Sequence, residues 1–188
     1  MTQANEAQSV FRSLLVLGGA RSGKSAYAQK LGEAYGPRRI YLATGTPGDE
    51  EMAARIARHR AERGSGWTTV EEPLNVASAL GVWAQRGRVV IVDCLTLWLS
   101  NLMLAGRAPE AEIAALAGAI RSLAGPAIFV SNEVGMGIVP DSKLGREFRD
   151  WQGRANRDIA AACDAVIFVA AGLPVQLKPG PTPSVRLG

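Results

Sequence analysis

The stretch SLLVLGGARSGKS, residues 13–25, constrains this chain more than any other. An apolar run with the length and character of a buried strand ends in two glycines, and a Lys-Ser pair follows. Gly18, Gly23, Lys24 and Ser25 fit the spacing GxxxxGK[ST]. Glycines let the backbone curl until successive N–H groups point inward at phosphate oxygens. The helix that follows adds its positive end. In such a loop Gly18, Gly19, Ala20, Arg21, Ser22 and Gly23 form the cradle, Lys24 reaches the β and γ phosphates, and Ser25 holds Mg2+. A glycine-rich turn arising by chance is the competing reading. It leaves unexplained why a strand runs in and a helix runs out.

The remaining pattern fits the same architecture. A helix is expected over residues 24–35 and a second strand over RRIYLATG, 38–45. Asp49 is placed to cap a helix reaching about Arg63, with Glu50 and Glu51 in its positive first turn. GSGWTTVEEP, 64–73, reads as a turn and a short strand of uncertain pairing. Helices are expected over 75–85, over 96–104 and from Pro109. RVVIVD, 88–93, and PAIFVSNE, 126–133, are strands, and VGMGIVP after the latter is a flexible loop. A helix in two interrupted segments covers 142–163. DAVIFVAAG, 164–172, is a last core strand, and 174–178 returns beside it as an edge hairpin. Residues 1–12 and 179–188 read as loose tails. Short apolar strands alternating with helices give an α/β fold, a mainly parallel sheet of the RecA-like P-loop NTPase kind with helices on both faces. At 188 residues, with no repeat or linker, one domain over 1–188 is expected. Ligands bind beyond the carboxyl ends of such strands, so the residues just past each strand carry the chemistry.

Asp93 stands at such an end. It can hold Mg2+ as the partner of Ser25, or it can cap the helix expected at 96. The 21 basic residues against 17 acidic ones suit a protein that handles anions without demanding nucleic acid. The long apolar stretch 89–106 is broken by Asp93, Ser100 and Asn101, so it reads as buried strand and helix, with no membrane insertion. Cys94 and Cys163 form no metal or redox spacing and read as reduced and buried, which with a polar N-terminus points to the cytoplasm. A P-loop alone leaves a small-molecule kinase and a RecA-like nucleic-acid-binding ATPase both open. No NKxD guanine motif is present. One stretch suits nucleic acid, GREFRDWQGRANR at 145–157, but its Arg146, Phe148, Arg149, Trp151, Arg154 and Arg157 spread over three turns and cannot share one face. It is either a helix with Phe148 and Trp151 in the core or the wall of a ligand pocket. The one histidine, His59, lies in RIARHRAERG among Arg55, Arg58, Arg60 and Arg63. By spacing alone, Met52, Ile56, His59 and Arg63 form a helical stripe, and His59 is a half-buried residue beside a solvated arginine face.

GGARSGKS, YLATGTPGDEEMAARIARHRAER, WTTVEEP, VDCLTLWLSN and VSNEVGMGIVPDSKLGREFRDWQGRANRDIA together resemble the bifunctional adenosylcobinamide kinase / adenosylcobinamide-phosphate guanylyltransferase family of cobalamin biosynthesis. The resemblance runs from about residue 14 to 178. It implies two reactions on a corrinoid substrate, with GTP and ATP as nucleotide substrates, Mg2+ as cofactor and no nucleic acid. A nucleoside triphosphate phosphorylates the aminopropanol hydroxyl of adenosylcobinamide. GTP then gives GMP to a histidine, releasing pyrophosphate, and the cobinamide phosphate takes that GMP. The family histidine falls on His59. Some members carry two adjacent histidines, and Arg58 stands at the first here. Arginines around the ring would stabilise charge on the α-phosphate and leaving pyrophosphate, and would disfavour imidazolium so that the ring stays nucleophilic. The resemblance also implies nucleotide contacts from Ala43, Thr44 and Gly45, from Arg60, Ala61, Glu62 and Arg63, and from Glu71. A carboxylate at Glu71 can accept both N1–H and N2–H of guanine; without the family it is a strand-end surface charge. Glu133 and the glycines of NEVGMG form a substrate-side loop with no assigned role. Assembly as a homotrimer is implied as well.

Overall fold

The apolar run that opens the chain is β1 (Ser13–Gly18), and Leu15, Val16 and Leu17 are buried on both of its faces, as a central parallel strand requires. The computed structural model describes residues 10–46, 48 and 50–180, without the side chains of Glu51, Met52, Ala53, Arg55, Ile56, His59 and Glu62. After β1 come α1 (Lys24–Tyr35), β2 (Arg39–Ala43), α2 (Glu50–Arg63), β3 (Trp67–Glu71) and α3 (Val76–Trp83). Then follow β4 (Val89–Asp93), α4 (Leu95–Leu104), α5 (Pro109–Arg121), β5 (Ala127–Asn132), α6 (Lys143–Ala162), β6 (Ala165–Ala170) and β7 (Leu173–Lys178).

The strands form one sheet in the order β3-β2-β4-β5-β1-β6-β7, parallel except for β7 against β6. One face packs on α3, α4, α5 and α6 around Leu15, Leu42, Val90, Val92, Trp98 and Phe129. On the other, α1 sets Ala28, Tyr27 and Leu31 against Val16, Ile91 and Ile128, with Leu97 of α4 and Arg63 at the end of α2 packed on the same face. The strand of uncertain pairing, β3, lies at the edge in parallel register with β2, Ala43 opposite Glu71. The edge hairpin forms as expected. Ala171 and Gly172, at φ 50° and 80°, make the tight turn whose twist suits paired strands. Arg12, at the end of the stretch expected to be loose, donates its N–H to Asp164 Oδ2 at 2.8 Å. No helix of the described residues is long and apolar enough to cross a membrane.

Two expectations are corrected. The helix over 142–163 is a single unbroken α6 of 20 residues. Its glycines do not interrupt it because Gly145 sits in the first turn, where Ser142 Oγ accepts its N–H, and because the stripe Gln152, Ala155, Asn156 and Ile159 buries across Gly153. A mid-helix glycine costs about 1 kcal/mol, which such burial outweighs. The helix expected at 96 begins at Leu95, and Cys94 rather than Asp93 holds its cap position. Asp49, expected to cap α2, lies outside the described residues.

Candidate functional site

The loop between β1 and α1 is folded tightly over its own start. A Cβ added to Gly18 would lie 2.5 Å from both Val169 O and Ser22 Oγ, so only glycine fits there. Gly23 takes φ +95°, in the left-handed region, and opens α1 with no side-chain cap and no acidic residue in the first turn. The positive helix end is therefore left for an anion. Lys24 is 8% exposed, and its ammonium donates to Gly19 O at 3.0 Å, folded back along the loop. Two neighbours hold the loop from outside the motif: Gly172 N–H donates to Ser22 O at 2.9 Å, and Glu133 N–H donates to Gly18 O at 3.1 Å.

The carboxyl ends of β3, β2 and β4 are in register, with Glu71, Ala43 and Asp93 side by side. One strand, β5, separates β4 from β1. Asp93 thus stands two strand spacings, about 10 Å, across the sheet from β1, level with Val16 and two residues short of Gly18. That is room for a phosphate chain. Ser25 and Asp93 offer the hard oxygen donors that Mg2+ takes alongside phosphate oxygens and water. Among the described residues no three His, Cys, Asp or Glu side chains cluster as a metal cage. The donor set fits a cation that a nucleotide brings with it.

Asp93 Oδ2 accepts a hydrogen bond from the Tyr41 hydroxyl at 2.6 Å. The Tyr41 ring stands edge-on to Trp67 at 6.1 Å, and the Arg63 guanidinium covers it at 3.6 Å. Burial first, and the Asp93 charge second, push the Tyr41 pKa far above its usual range, so this hydroxyl keeps its proton and stays a donor. The same two causes push the neighbouring Cys94 thiol up to about 11, which leaves it protonated and inert near neutrality. Both cysteines are free and buried.

Of the other residues expected here, Thr44 is wholly buried. Its hydroxyl donates to Cys94 O at 2.7 Å and accepts Cys94 N–H at 2.8 Å, while its N–H donates to Asp93 O and its carbonyl accepts Asn101 Nδ2. Thr44 staples β2 to β4 and forms the wall behind the edge. Ala43 and Gly45 are half-buried beside it. Glu71 Oε1 pairs with Arg60 Nη2 at 2.8 Å, both well exposed. Arg63 is buried, in keeping with its place on the stripe read from spacing, while Arg58 and Arg60 are exposed. Ala61 is exposed. The side chains of His59, Glu62 and Arg55 lie outside the described residues; the backbone of His59 is in α2, one turn before Arg63.

Sequence reasoning missed Tyr41, because a tyrosine inside an apolar strand reads as plain core. It also missed a buried polar knot behind β5. Ser131 Oγ donates to Asn156 Oδ1, Gln152 Nε2 donates to both, and Asn156 Nδ2 donates to Asn132 O. Asn132 N–H donates to Thr96 Oγ1. The knot fixes the end of β5 against α6 and α4. In the 145–157 segment, Trp151 packs against the core and carries Arg154 on its ring at 4.9 Å. Arg146 donates to the Pro140 and Asp141 carbonyls, and Arg157 pairs with Asp158.

Residues 14–177 match the family model described as cobinamide kinase / cobinamide phosphate guanyltransferase. The chain is 47% identical over 169 residues to the bifunctional adenosylcobalamin biosynthesis protein CobP of Pseudomonas aeruginosa, covering 89% of this chain and 98% of that one. It is 38% identical over 181 residues to the bifunctional adenosylcobalamin biosynthesis protein CobU of Escherichia coli, covering 88% and 99%. Among solved structures it resembles an ATPase of a bacterial type III secretion system, with TM-score 0.54 at 12% identity over 88% of this chain and 56% of that one. It also resembles the flagellar accessory protein FlaH of Methanocaldococcus jannaschii, with TM-score 0.50 at 15% identity over 89% and 78%. At those identities the likeness is one of fold, the α/β sheet of P-loop NTPases.

Proposed function

The chain belongs to the cobinamide kinase / cobinamide phosphate guanyltransferase family, and from that membership we propose how its residues divide the two reactions. It is a bifunctional enzyme of adenosylcobalamin biosynthesis, acting as kinase and guanylyltransferase on a corrinoid. In the first reaction the loop from Gly18 to Ser25 binds the triphosphate and Lys24 meets the charge that develops on the transferred phosphoryl group. Ser25 and Asp93 would hold Mg2+ brought with the nucleotide, which would supply neutralisation of the phosphate charge. The cobinamide hydroxyl oxygen bonds to the γ-phosphorus, the bond from that phosphorus to the bridging oxygen breaks, the hydroxyl proton passes to solvent, and the nucleoside diphosphate leaves.

In the second reaction the His59 imidazole attacks the α-phosphorus of GTP. A P–N bond forms, the bond to the bridging oxygen breaks, and pyrophosphate departs. A phosphate oxygen of the cobinamide phosphate then displaces the imidazole, giving GDP-cobinamide. Arg60 and its neighbours gather the nucleotide. Glu71 reads guanine by exchanging Arg60 for the N1–H and N2–H of the base. The observation that carries this reading is the single sheet edge on which Gly18, Asp93, Ala43 and Glu71 stand, with the helix that contains His59 directly between β2 and β3 in the chain. A homotrimer in the cytoplasm belongs to the same proposal and is checked by light scattering on the purified protein.

Incubation with α-labelled or γ-labelled GTP tests the scheme. The α label is expected to stay on the chain as a phosphoramidate, stable in base and lost in acid. His59→Ala is expected to abolish the adduct and GDP-cobinamide while still yielding adenosylcobinamide phosphate. An adduct that persists in His59→Ala would sink the assignment.

A further inference from the structure

Tyr41 is in contact with both halves of the site. Its hydroxyl lies 2.6 Å from Asp93 Oδ2, and its ring carries the Arg63 guanidinium at 3.6 Å. Tyr41 is 4% exposed and Arg63 8%. Trp67 abuts the ring edge-on, so the phenol is clamped between an indole and a guanidinium and cannot change rotamer without displacing one of them. Arg63 is the last residue of α2, and His59 is one turn earlier. Taking a guanidinium out of water is costly unless a partner compensates. The face of an electron-rich ring does so and ties the end of α2 to the sheet. A phenylalanine would fill the same space. The hydroxyl is accounted for by Asp93, which it reaches from 52 residues away in the chain.

We propose that Tyr41 is a positioning residue with two separable roles: its hydroxyl orients the Asp93 carboxylate, and its ring seats the carboxyl-terminal turn of the helix that bears His59. The first role rests on the reading of Asp93 as the carboxylate that meets the nucleotide-borne cation. The two are distinguished by Tyr41→Phe, which keeps the ring, and Tyr41→Leu, which keeps neither.

Two measurements on the whole protein test this. Mn2+ serves as the spin probe, titrated by electron paramagnetic resonance in the presence of a non-hydrolysable GTP analogue. Trypsin reports the exposure of the arginines in α2. Tyr41→Phe is expected to weaken Mn2+ about tenfold, the size typical of losing a partner that orients a metal ligand. It should leave affinity for the metal-free analogue and tryptic cleavage of α2 at the parental level. Tyr41→Leu is expected to weaken Mn2+ equally and also to speed cleavage within α2 severalfold. Arg63→Gln should also speed cleavage within α2. Asp93→Asn is the control. If Asp93→Asn weakens Mn2+ and Tyr41→Phe does not, the orienting role is overturned. If Asp93→Asn itself leaves Mn2+ unchanged, the reading of Asp93 falls and the hydroxyl role with it. If Tyr41→Leu cleaves no faster than Tyr41→Phe, the seating role is overturned.

Discussion

Lys24 rests on the Gly19 carbonyl, and a bound triphosphate would draw its ammonium toward phosphate oxygens. Such a preorganised charge is worth most where water is excluded. Lys24→Ala and Asp93→Asn are each expected to slow both reactions about 10²-fold or more, as assayed separately by formation of adenosylcobinamide phosphate and by GMP transfer. Near-normal guanylyl transfer in either variant would place the second reaction at another nucleotide site. Glu71 gives a subtler test. Its ion pair with Arg60 is well exposed and worth at most about 1 kcal/mol, so guanine can displace it. Glu71→Gln brings a donor against the two N–H donors of the base. It is expected to weaken GTP relative to ATP by about 1–3 kcal/mol in equilibrium binding. Equal losses for the two nucleotides would show that Glu71 does not read the base.

At the level of elements, α6 tolerates Gly153 in its middle. That position is exposed, and an added Cβ would meet nothing within 4 Å. Gly153→Ala is therefore expected to raise stability by about 0.5–1 kcal/mol, read as a higher urea midpoint with both activities intact. Gly32→Ala should do the reverse, because its Cβ would lie 2.6 Å from the Trp67 ring. The central strands were legible because burial on both faces leaves continuous apolar runs such as VVIVD. The pairing of β3 was not, since its burial is mixed and its register depends on β2 alone. The continuity of α6 was also hidden: two glycines argue for breaks, and only the buried stripe reaching Ile159 argues against them. The phosphate loop was legible because it is contiguous. The bond from Tyr41 to Asp93 was not, because no local pattern links residues on separate strands.

Across the molecule, the two thiols give the fold a pH signature. Burial pushes Cys94 up to about 11 and Cys163 up to about 12, against an ordinary value of 9.0. Above pH 9 the unfolded chain loses these protons while the folded chain keeps them, so their contribution to stability declines as pH rises. Urea midpoints are expected to fall between pH 9 and 11, and to fall less in Cys94→Ala and Cys163→Ala; parental slopes in both variants would assign the decline to other groups. The sheet also settles what the phosphate motif can do by itself. Two of the groups that hold the loop in shape, the backbone N–H groups of Gly172 and Glu133, belong to a hairpin turn and a strand end far along the chain. The eight residues GGARSGKS are consequently not a portable cassette. Grafted onto another strand and helix, they would carry the sequence of an anion site without its scaffolding, and a transplant would have to bring the hairpin with it.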